Sequence, residues 1–149
     1  MATQSTRTLV MLKDLATKDV DLAAEALALA IKVAEEAQSK HALLHEYRQG
    51  YVENLNKSLE TGIGAEAYLN FQNFFGKLDQ AIAGQLEVVE STNRLVLYKR
   101  ELWQESQRKK LSYEVLLQRS AKQVLNVEKK KDQKMMDEFA MRISRTGRS

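Results

Sequence analysis

The chain has 149 residues with no proline, no cysteine and 6 glycines, and 44% of its residues are apolar, 29% charged and 7% aromatic. Soluble proteins average about 5% proline and 7% glycine, so a sandwich, a barrel or an α/β fold would need more turns than this sequence offers. We therefore expect very long helices, with enough apolar surface for a seam rather than for a thick core.

The global counts also exclude several classes of function. Without cysteine there is no disulfide scaffold, zinc knuckle, iron–sulfur cluster or thiol nucleophile. The chain therefore needs no oxidising compartment, and we expect it in a reducing one. The start of the chain has no apolar run followed by a cleavage site, and no stretch approaches the roughly 20 apolar residues of a membrane span. We expect a soluble cytoplasmic protein.

The formal net charge of +3 is unevenly placed. Residues 1–120 carry 15 basic and 16 acidic side chains, whereas residues 121–149 carry 8 basic and 4 acidic ones. A basic C-terminal segment could bind nucleic acid, an anionic membrane or an acidic protein surface, and charge alone does not decide among them.

Two glycines mark an interior turn, at Thr61-Gly62-Ile63-Gly64. Glycine adopts left-handed backbone angles without strain, which suits a helix stop followed by a restart. The sequence predicts a first helix over about 6–60, capped by Thr6 or Thr8, and a second over about 65–143. At 1.5 Å per residue these helices would be roughly 80 and 115 Å long, which is typical of coiled coils. We expect an all-α fold, a long antiparallel two-helix coiled-coil hairpin.

The second helix carries a heptad repeat. A nearly continuous apolar column has intervals of seven: Tyr68, Phe75, Ile82, Val89, Val96, Trp103, Lys110, Leu117 and Val124. A companion column is more polar, since two apolar residues are followed by four polar ones before a tyrosine: Phe71, Leu78, Gln85, Thr92, Lys99, Ser106 and Tyr113. Sustained heptads predict a coiled-coil seam, although not a continuous leucine zipper.

The first helix has an apolar stripe that drifts instead of keeping intervals of seven: Leu12, Leu15, Leu22, Leu27, Ile31, Leu44, Tyr51, Leu55 and Leu59. Alanines fill much of it, at Ala23, Ala26, Ala30, Ala34 and Ala37. Small seam residues let helices approach closely but bury less apolar area each, so we expect a slender, moderately stable hairpin.

The turn position determines which residues face each other. With the turn near Ile63, antiparallel partners have numbers that sum to about 126, so Gly50 faces Gly76 and the first helix ends opposite about Ser120. We call residues 121–149 the overhang, because they have no expected partner within the chain, and we expect a flexible tail at 144–149. An isolated helix is only marginally stable in water, so its apolar stripe should fray or bind another molecule: Leu125, Met135, Met136, Phe139, Ala140 and Ile143.

Motifs for enzymes and cofactors are nearly absent. Gly62-Ile63-Gly64 lacks the third glycine and the preceding strand of a dinucleotide site, and Gly76-Lys77-Leu78 lacks the rest of a phosphate loop. His41 and His45 lie one turn apart, but no third metal ligand follows on that face. The basic clusters are interleaved with acidic residues and match no nucleic-acid motif. We expect no catalytic residues, no cofactor, no metal and no nucleic-acid partner.

Six of the ten aromatic residues lie within 29 residues, and the hairpin brings them to its tip: Tyr47, Tyr51, Tyr68, Phe71, Phe74 and Phe75. The apolar arc of the second helix spans about 140° here, wider than one two-helix seam covers. Phe74 and Ala81, with Leu44 and Tyr47, should therefore form a partly exposed patch suited to a protein partner. The alternative is that these residues only fill the tip.

Three parts of the chain resemble the flagellar FliJ family, small coiled-coil components of the flagellar type III export apparatus. They are the opening Leu12-Lys13-Asp14-Leu15-Ala16; the tip, with Tyr51 to Leu55, Gly62-Ile63 and the aromatic run from Tyr68 to Leu78; and the late Asp132-Gln133-Lys134 with Met136-Asp137-Glu138-Phe139-Ala140. The likeness covers nearly the full length, 1–149, which we expect to be a single hairpin domain.

The resemblance implies a stalk similar to the γ subunit of ATP synthase, whose paired termini insert into the hexameric export ATPase (FliI) and promote its activity. It also implies binding to the export gate protein (FlhA) and an escort role for export chaperones. Such a protein would be mainly monomeric when free and peripheral on the cytoplasmic face of the inner membrane at the flagellar base.

The resemblance further implies two binding surfaces. The gate patch, which binds the export gate, consists of Leu44, Tyr47, Tyr51, Phe74, Leu78 and Ala81. The ATPase-binding end combines Leu9, Leu12, Leu15, Met136, Phe139 and Arg142. A lysine at position 40 replaces the polar residue usual in the family.

Two alternatives stay open at this point. The chain could be the equivalent stalk of a virulence type III secretion system, with the same mechanism and a different cargo. It could also be a generic coiled-coil scaffold that dimerises through its overhang or its tip, which would make it a tight dimer rather than a monomer.

Overall fold

The computed structural model describes residues 2–147, which form two helices, α1 (Ala2–Thr61) and α2 (Ala65–Thr146). The two helices pack against each other as a hairpin, and the described residues contain no strand. This confirms the predicted all-α coiled-coil hairpin.

Residues 62–64 form the turn between the helices. Gly62 has a φ of 89°, in the left-handed region that glycine adopts without strain. The Tyr68 N–H donates to the Gly64 carbonyl at 3.1 Å, which closes the first turn of α2. The chain therefore reverses direction where the two glycines predict it.

Both helices extend beyond their predicted ends. α1 begins at Ala2, so Thr6 and Thr8 lie inside the helix and the predicted capping role is wrong; the Thr8 hydroxyl instead donates to the Gln4 carbonyl at 3.0 Å. α2 continues to Thr146, so residues 144–146 of the expected flexible tail are helical. The last two positions, 148–149, lie outside the described residues. Proline would have interrupted such helices, and the chain contains none.

The contacts divide the chain into two compact units. Unit 1 comprises Met1–Asp21 and Gln104–Ser149, and unit 2 comprises Leu22–Trp103. Unit 2 contains the turn, and unit 1 contains both chain ends. In each unit, side chains of α1 pack against side chains of α2.

The seam residues of α2 form two heptad columns, whose positions we label a and d. Each member is buried or half-buried, at a in Phe75, Ile82, Val89, Val96, Trp103, Lys110 and Leu117, and at d in Phe71, Leu78, Gln85, Thr92, Lys99, Ser106, Tyr113 and Ser120. Both predicted columns thus lie in the seam, including the polar one. Tyr68 and Val124, the predicted ends of the first column, are instead exposed.

Hydrogen bonds explain how polar residues fit at d. The Gln85 amide donates to the Ala37 carbonyl of α1 at 2.9 Å, and the Thr92 hydroxyl donates to the Val89 carbonyl at 2.9 Å. Among the described residues, no buried side-chain nitrogen or oxygen lacks a hydrogen-bond partner. The polar residues at d therefore cost little free energy of folding, because their buried groups are hydrogen-bonded.

The seam of α1 also keeps intervals of seven, which corrects the predicted drifting stripe. Its a column is Thr6, Lys13, Val20, Leu27, Ala34, His41, Arg48 and Leu55, and its d column is Leu9, Ala16, Ala23, Ala30, Ala37, Leu44, Tyr51 and Ser58. Leu15, Leu22 and Leu59 belonged to the predicted stripe but are 55%, 64% and 50% exposed. Alanines, and not these leucines, line the seam of α1. The predicted stripe was wrong because leucine is more hydrophobic than alanine and was therefore assigned to the seam.

The buried core is thin. The most buried side chains are Ala16 in unit 1 and Ala30, Ala34, Ala37, Leu78 and Val89 in unit 2, with exposures of 3–8%. Each alanine buries little apolar area, so each pair of facing seam residues contributes modestly to the free energy of unfolding.

Contacts across the seam confirm the predicted register. In unit 2, Arg48 pairs with Asp79 and Gln85 with Ala37, and in unit 1 the Thr6 and Ser120 hydroxyls lie 3.3 Å apart. The residue numbers of each pair sum to a value close to the expected total of about 126.

Gly50 and Gly76 do not face each other, which corrects another expectation. Neither occupies an a or d position, and a Cβ built on either glycine meets no other side chain or distant backbone within 4 Å. These glycines therefore contribute nothing to close packing at the tip.

Replacing Gly50 or Gly76 with alanine should stabilise the hairpin by about 0.5–1 kcal/mol each, because glycine inside a helix costs that much relative to alanine and the new methyl group enters open space. Urea unfolding followed by far-UV circular dichroism measures this gain. Gly62→Ala is the control and should destabilise the protein, since its φ is positive. A loss of stability in Gly50→Ala would contradict the assignment of this position outside the seam.

Candidate functional site

Aromatic side chains at the tip of unit 2 gather around Tyr51. Its ring stacks on Phe74 with centroids 4.2 Å apart, and it meets Phe71 and Phe75 edge-on at 6.4 and 6.5 Å. Aromatic pairs in these geometries are more favourable than their buried area alone implies. A shallow depression of about 300 Å³ lies beside the stack, lined by Tyr51, Ala67, Asn70, Phe71 and Phe74.

All six residues of the predicted gate patch lie on one side of the seam. Leu44, Tyr51 and Leu78 occupy d positions, and Tyr47, Phe74 and Ala81 occupy the neighbouring positions, which we label g. The g residues are exposed, Tyr47 at 56% and Phe74 at 38%, whereas Leu78 is only 8% exposed. A partner would therefore contact mainly the g side chains, which rest on the d residues below them.

The other side of the tip is charged. Arg48, at an a position, donates to the Asp79 carboxylate at 2.7 Å, and its guanidinium lies 5.6 Å from the centre of the Phe75 ring. The hydrogen bond and charge of Asp79 raise the pKa of the Arg48 guanidinium. Both side chains are exposed, so this ion pair marks a polar surface rather than a stabilising core contact.

The predicted ATPase-binding end is not one surface in this chain. Leu9 and Leu12 are half-buried and Leu15 is exposed on α1, and Leu9 lies beside Leu116 and Ser120 of α2. Met136 follows Ser120 by roughly 24 Å along the helix axis, at 1.5 Å per residue. The two halves of the predicted site are therefore separate surfaces of unit 1.

The overhang is exposed along its whole described length, 121–147. Large apolar side chains lie along it: Val124, Leu125, Val127, Met135, Met136, Phe139, Met141 and Ile143. Met136, Phe139 and Arg142, with Met135 and Glu138, line a shallow depression of about 380 Å³. Exposed methionines adapt readily to different partner surfaces.

The remaining candidate features are local. The His41 and His45 rings meet edge to face with centroids 4.7 Å apart. Within the described residues, no group of three or more metal-ligating side chains comes together, and neither helix holds a segment apolar enough to cross a bilayer.

The sequence profile of the flagellar FliJ protein family matches residues 5–149. The chain belongs to this family. It is 31% identical to the flagellar FliJ protein of Escherichia coli (strain K12) over 136 residues, which covers 91% of this chain and 92% of the relative. It is 33% identical to the flagellar FliJ protein of Salmonella typhi over 134 residues, which covers 89% and 90%. Members of the family are components of flagellar protein export and are not known as enzymes.

Sequence reasoning missed part of the exposed apolar surface in this FliJ family member. Val88, Leu95 and Leu102 continue the g column of α2 beyond the tip and are 45%, 44% and 37% exposed. The signal was present, because these residues follow Phe74 and Ala81 at intervals of seven.

A chain that ends at Ser120 should unfold at nearly the same urea concentration as the full chain, because every described residue beyond it is exposed. Circular dichroism should show fewer helical residues per molecule but an unchanged midpoint. A chain that ends at Lys110 is the control. It loses Tyr113 and Leu117 from the seam, and its midpoint should fall. A lower midpoint for the Ser120 truncation would mean that the overhang stabilises the hairpin.

Proposed function

We propose that this protein is a non-enzymatic, stalk-like adaptor of flagellar export. It binds and activates the hexameric export ATPase FliI, couples it to the export gate protein FlhA and escorts export chaperones. The observation that supports this most directly is the presence of two exposed apolar surfaces of different chemistry: the aromatic gate patch in unit 2 and the basic overhang in unit 1.

The gate patch suits a protein partner because its aromatic side chains are held in place before binding. Phe74 is stacked on Tyr51, and Tyr51 is itself fixed in the seam by Phe71 and Phe75. Ordering these rings costs little entropy on binding, and buried aromatic anchors dominate interface energies. The gate protein is the proposed ligand of this patch.

The overhang suits the ATPase in a different way. Its apolar stripe is exposed, and residues 121–149 carry 8 basic against 4 acidic side chains. A helix without a packed neighbour gains order when it binds, so docking into a ring and helix stabilisation would be coupled. Met136, Phe139 and Arg142 are the proposed contacts, and Leu9, Leu12 and Leu15 contribute a separate contact on α1.

The proposed location is peripheral, on the cytoplasmic face of the inner membrane at the flagellar base, reached through the export apparatus. The free protein is proposed to be mainly monomeric, with its exposed surfaces available for partners.

Phe74→Ala should weaken binding to the cytoplasmic part of the gate protein about tenfold, as expected for the loss of a central aromatic anchor. Isothermal titration calorimetry measures the affinity, and circular dichroism should show unchanged helicity because the side chain is 38% exposed. Arg48→Ala, on the charged side of the tip, is the matched control and should bind as wild type. Equal losses of affinity in both variants would mean that the gate patch is not the surface that binds the gate protein.

The full chain should raise the ATP turnover rate of the export ATPase severalfold, and the chain that ends at Ser120 should lose this effect. A coupled assay of ADP release measures the rate. Met136→Ala with Phe139→Ala in the full chain should reproduce the loss without changing the hairpin, because both side chains are exposed. Full stimulation by the truncated chain would contradict the proposed role of the overhang.

A further inference from the structure

Both histidines of the chain lie next to each other on α1, at His41 and His45. Side chains four residues apart on a helix share one face and have Cβ atoms about 5–6 Å apart. The two rings meet with centroids 4.7 Å apart and an interplanar angle of 76°. His41 is half-buried and His45 is exposed, so a dissolved ion can reach the pair.

The ring nitrogens of this pair are not engaged by other side chains or by the backbone. Within residues 2–147, neither histidine takes part in an ion pair or in a side-chain hydrogen bond. A neutral imidazole has one nitrogen lone pair, which is free to accept a hydrogen bond or to bind a metal. The chain contains no cysteine, so imidazole is the best ligand among its side chains for a transition-metal ion.

The separation of the rings matches that of two imidazoles bound to one ion. A metal–nitrogen bond is about 2.0–2.1 Å long and the ring centre lies about 1.1 Å behind the nitrogen, which places each centroid about 3.2 Å from the metal. Two such ligands at a right angle have centroids about 4.5 Å apart, whereas two at the tetrahedral angle have centroids about 5.2 Å apart. The observed 4.7 Å is closer to the right angle.

Only side-chain rotation is needed to direct both nitrogens at one ion. The Cβ–Cγ bond of histidine points toward the ring centre, so rotation about it turns the nitrogens and leaves the centroid nearly in place. This torsion is broad in histidine and is easily changed. The backbone of both residues is already fixed within α1, so binding costs little further order.

The charges around the pair do not oppose a cation. Arg48, the next residue on this face, donates to the Asp79 carboxylate at 2.7 Å, so its positive charge is balanced. Lys40 directly precedes the pair and Glu46 directly follows it. These four formal charges sum to zero, and a divalent ion would therefore meet no uncompensated positive charge.

The pair can form only an open site. A structural zinc site has four protein ligands, whereas the described residues contain no group of three or more side chains that could hold a metal ion. Water must complete the coordination, and nitrogen with water in a tetragonal arrangement is preferred by Cu²⁺ and Ni²⁺. The expectation of no metal rests on the missing third ligand, which an open site does not need.

We propose that His41 and His45 form a reversible binding site for one divalent transition-metal ion, with Cu²⁺ preferred over Ni²⁺ and Ni²⁺ over Zn²⁺. The bound ion bridges one turn of α1, so it stabilises the helical state of this turn. The site uses no residue of the gate patch or of the overhang, and it is independent of the proposed role in export.

Isothermal titration calorimetry of the untagged full chain with NiCl₂ tests the site. Wild type should bind one ion per chain, and His45→Ala should bind at least tenfold more weakly, because a second ligand on the same helix acts at high effective concentration. Mg²⁺ in excess should not compete, since it prefers oxygen ligands. CuCl₂ and ZnCl₂ titrations give the order of affinities.

A matched control keeps two histidines but changes their spacing. His45→Ala combined with Glu46→His places them five residues apart, about 140° around the helix. This variant should bind as weakly as His45→Ala alone. Both altered positions are exposed, so circular dichroism should show unchanged helicity. His41→Gln should produce the same loss of affinity from the other side of the pair.

Two further measurements report on the folded state. The chain has 2 histidines, so its NMR spectrum contains two sets of imidazole signals, and both should shift together when diamagnetic Zn²⁺ is added. Ni²⁺ at about 100 times its dissociation constant should raise the urea midpoint of wild type, because it binds the native state preferentially, and should leave that of His45→Ala unchanged.

Several results would overturn the proposal. Equal Ni²⁺ affinity in wild type and His45→Ala would place the ion elsewhere on the chain. Equal affinity in the spacing control would mean that the geometry of the pair does not matter. An unchanged urea midpoint at saturating Ni²⁺ would mean that the folded helix is not the binding form, and tighter binding of Zn²⁺ than of Ni²⁺ would contradict the right-angle arrangement. None of these results depends on ATPase stimulation or gate binding.

Discussion

An alanine-lined seam with constant seven-residue spacing controls how α1 packs against α2. Ala16, Ala23, Ala30 and Ala37 occupy successive d positions of α1, so the residues of α2 pack against small side chains. Such a seam buries two residues in seven and little area for each. Many further apolar residues, such as Leu29 and Leu95, are therefore left on the surface, where they are available to a partner.

The two sides of α2 beside the seam are unlike in unit 2. Its d residues adjoin the apolar g column, where Phe74 stacks on Tyr51, whereas its a residues adjoin a mostly polar column, where Asp79 pairs with Arg48. Because the heptad frame is continuous, this polarity persists from the tip to Leu102. Two gate-patch residues, Phe74 and Ala81, consequently share one apolar side of α2 with Val88, Leu95 and Leu102.

The unequal lengths of the helices produce the second kind of surface. α1 has 60 residues and α2 has 82, so α2 continues past Ser120, its last half-buried residue among those described. The continuation carries all of the excess positive charge of the chain, since residues 1–120 have 15 basic and 16 acidic side chains, and it carries an exposed row of apolar side chains. Because no proline interrupts α2, the helix can extend this far beyond α1. The difference in helix length therefore provides the surface that is proposed to bind the export ATPase.

The amino-acid sequence alone was enough to predict the all-α hairpin, the position of the turn, the register and the exposed overhang, because these follow from missing prolines, a glycine pair and residue counting. It also indicated both heptad columns of α2. Hydrophobicity alone did not predict the seam of α1. The folded structure packs alanines there against α2 while larger leucines face solvent, the opposite of their hydrophobic ranking. It likewise separated the two halves of the predicted ATPase-binding end and distinguished buried Leu78 from exposed Phe74. Those outcomes depend on which side of each helix meets the other, and that is settled by packing between residues far apart in the chain.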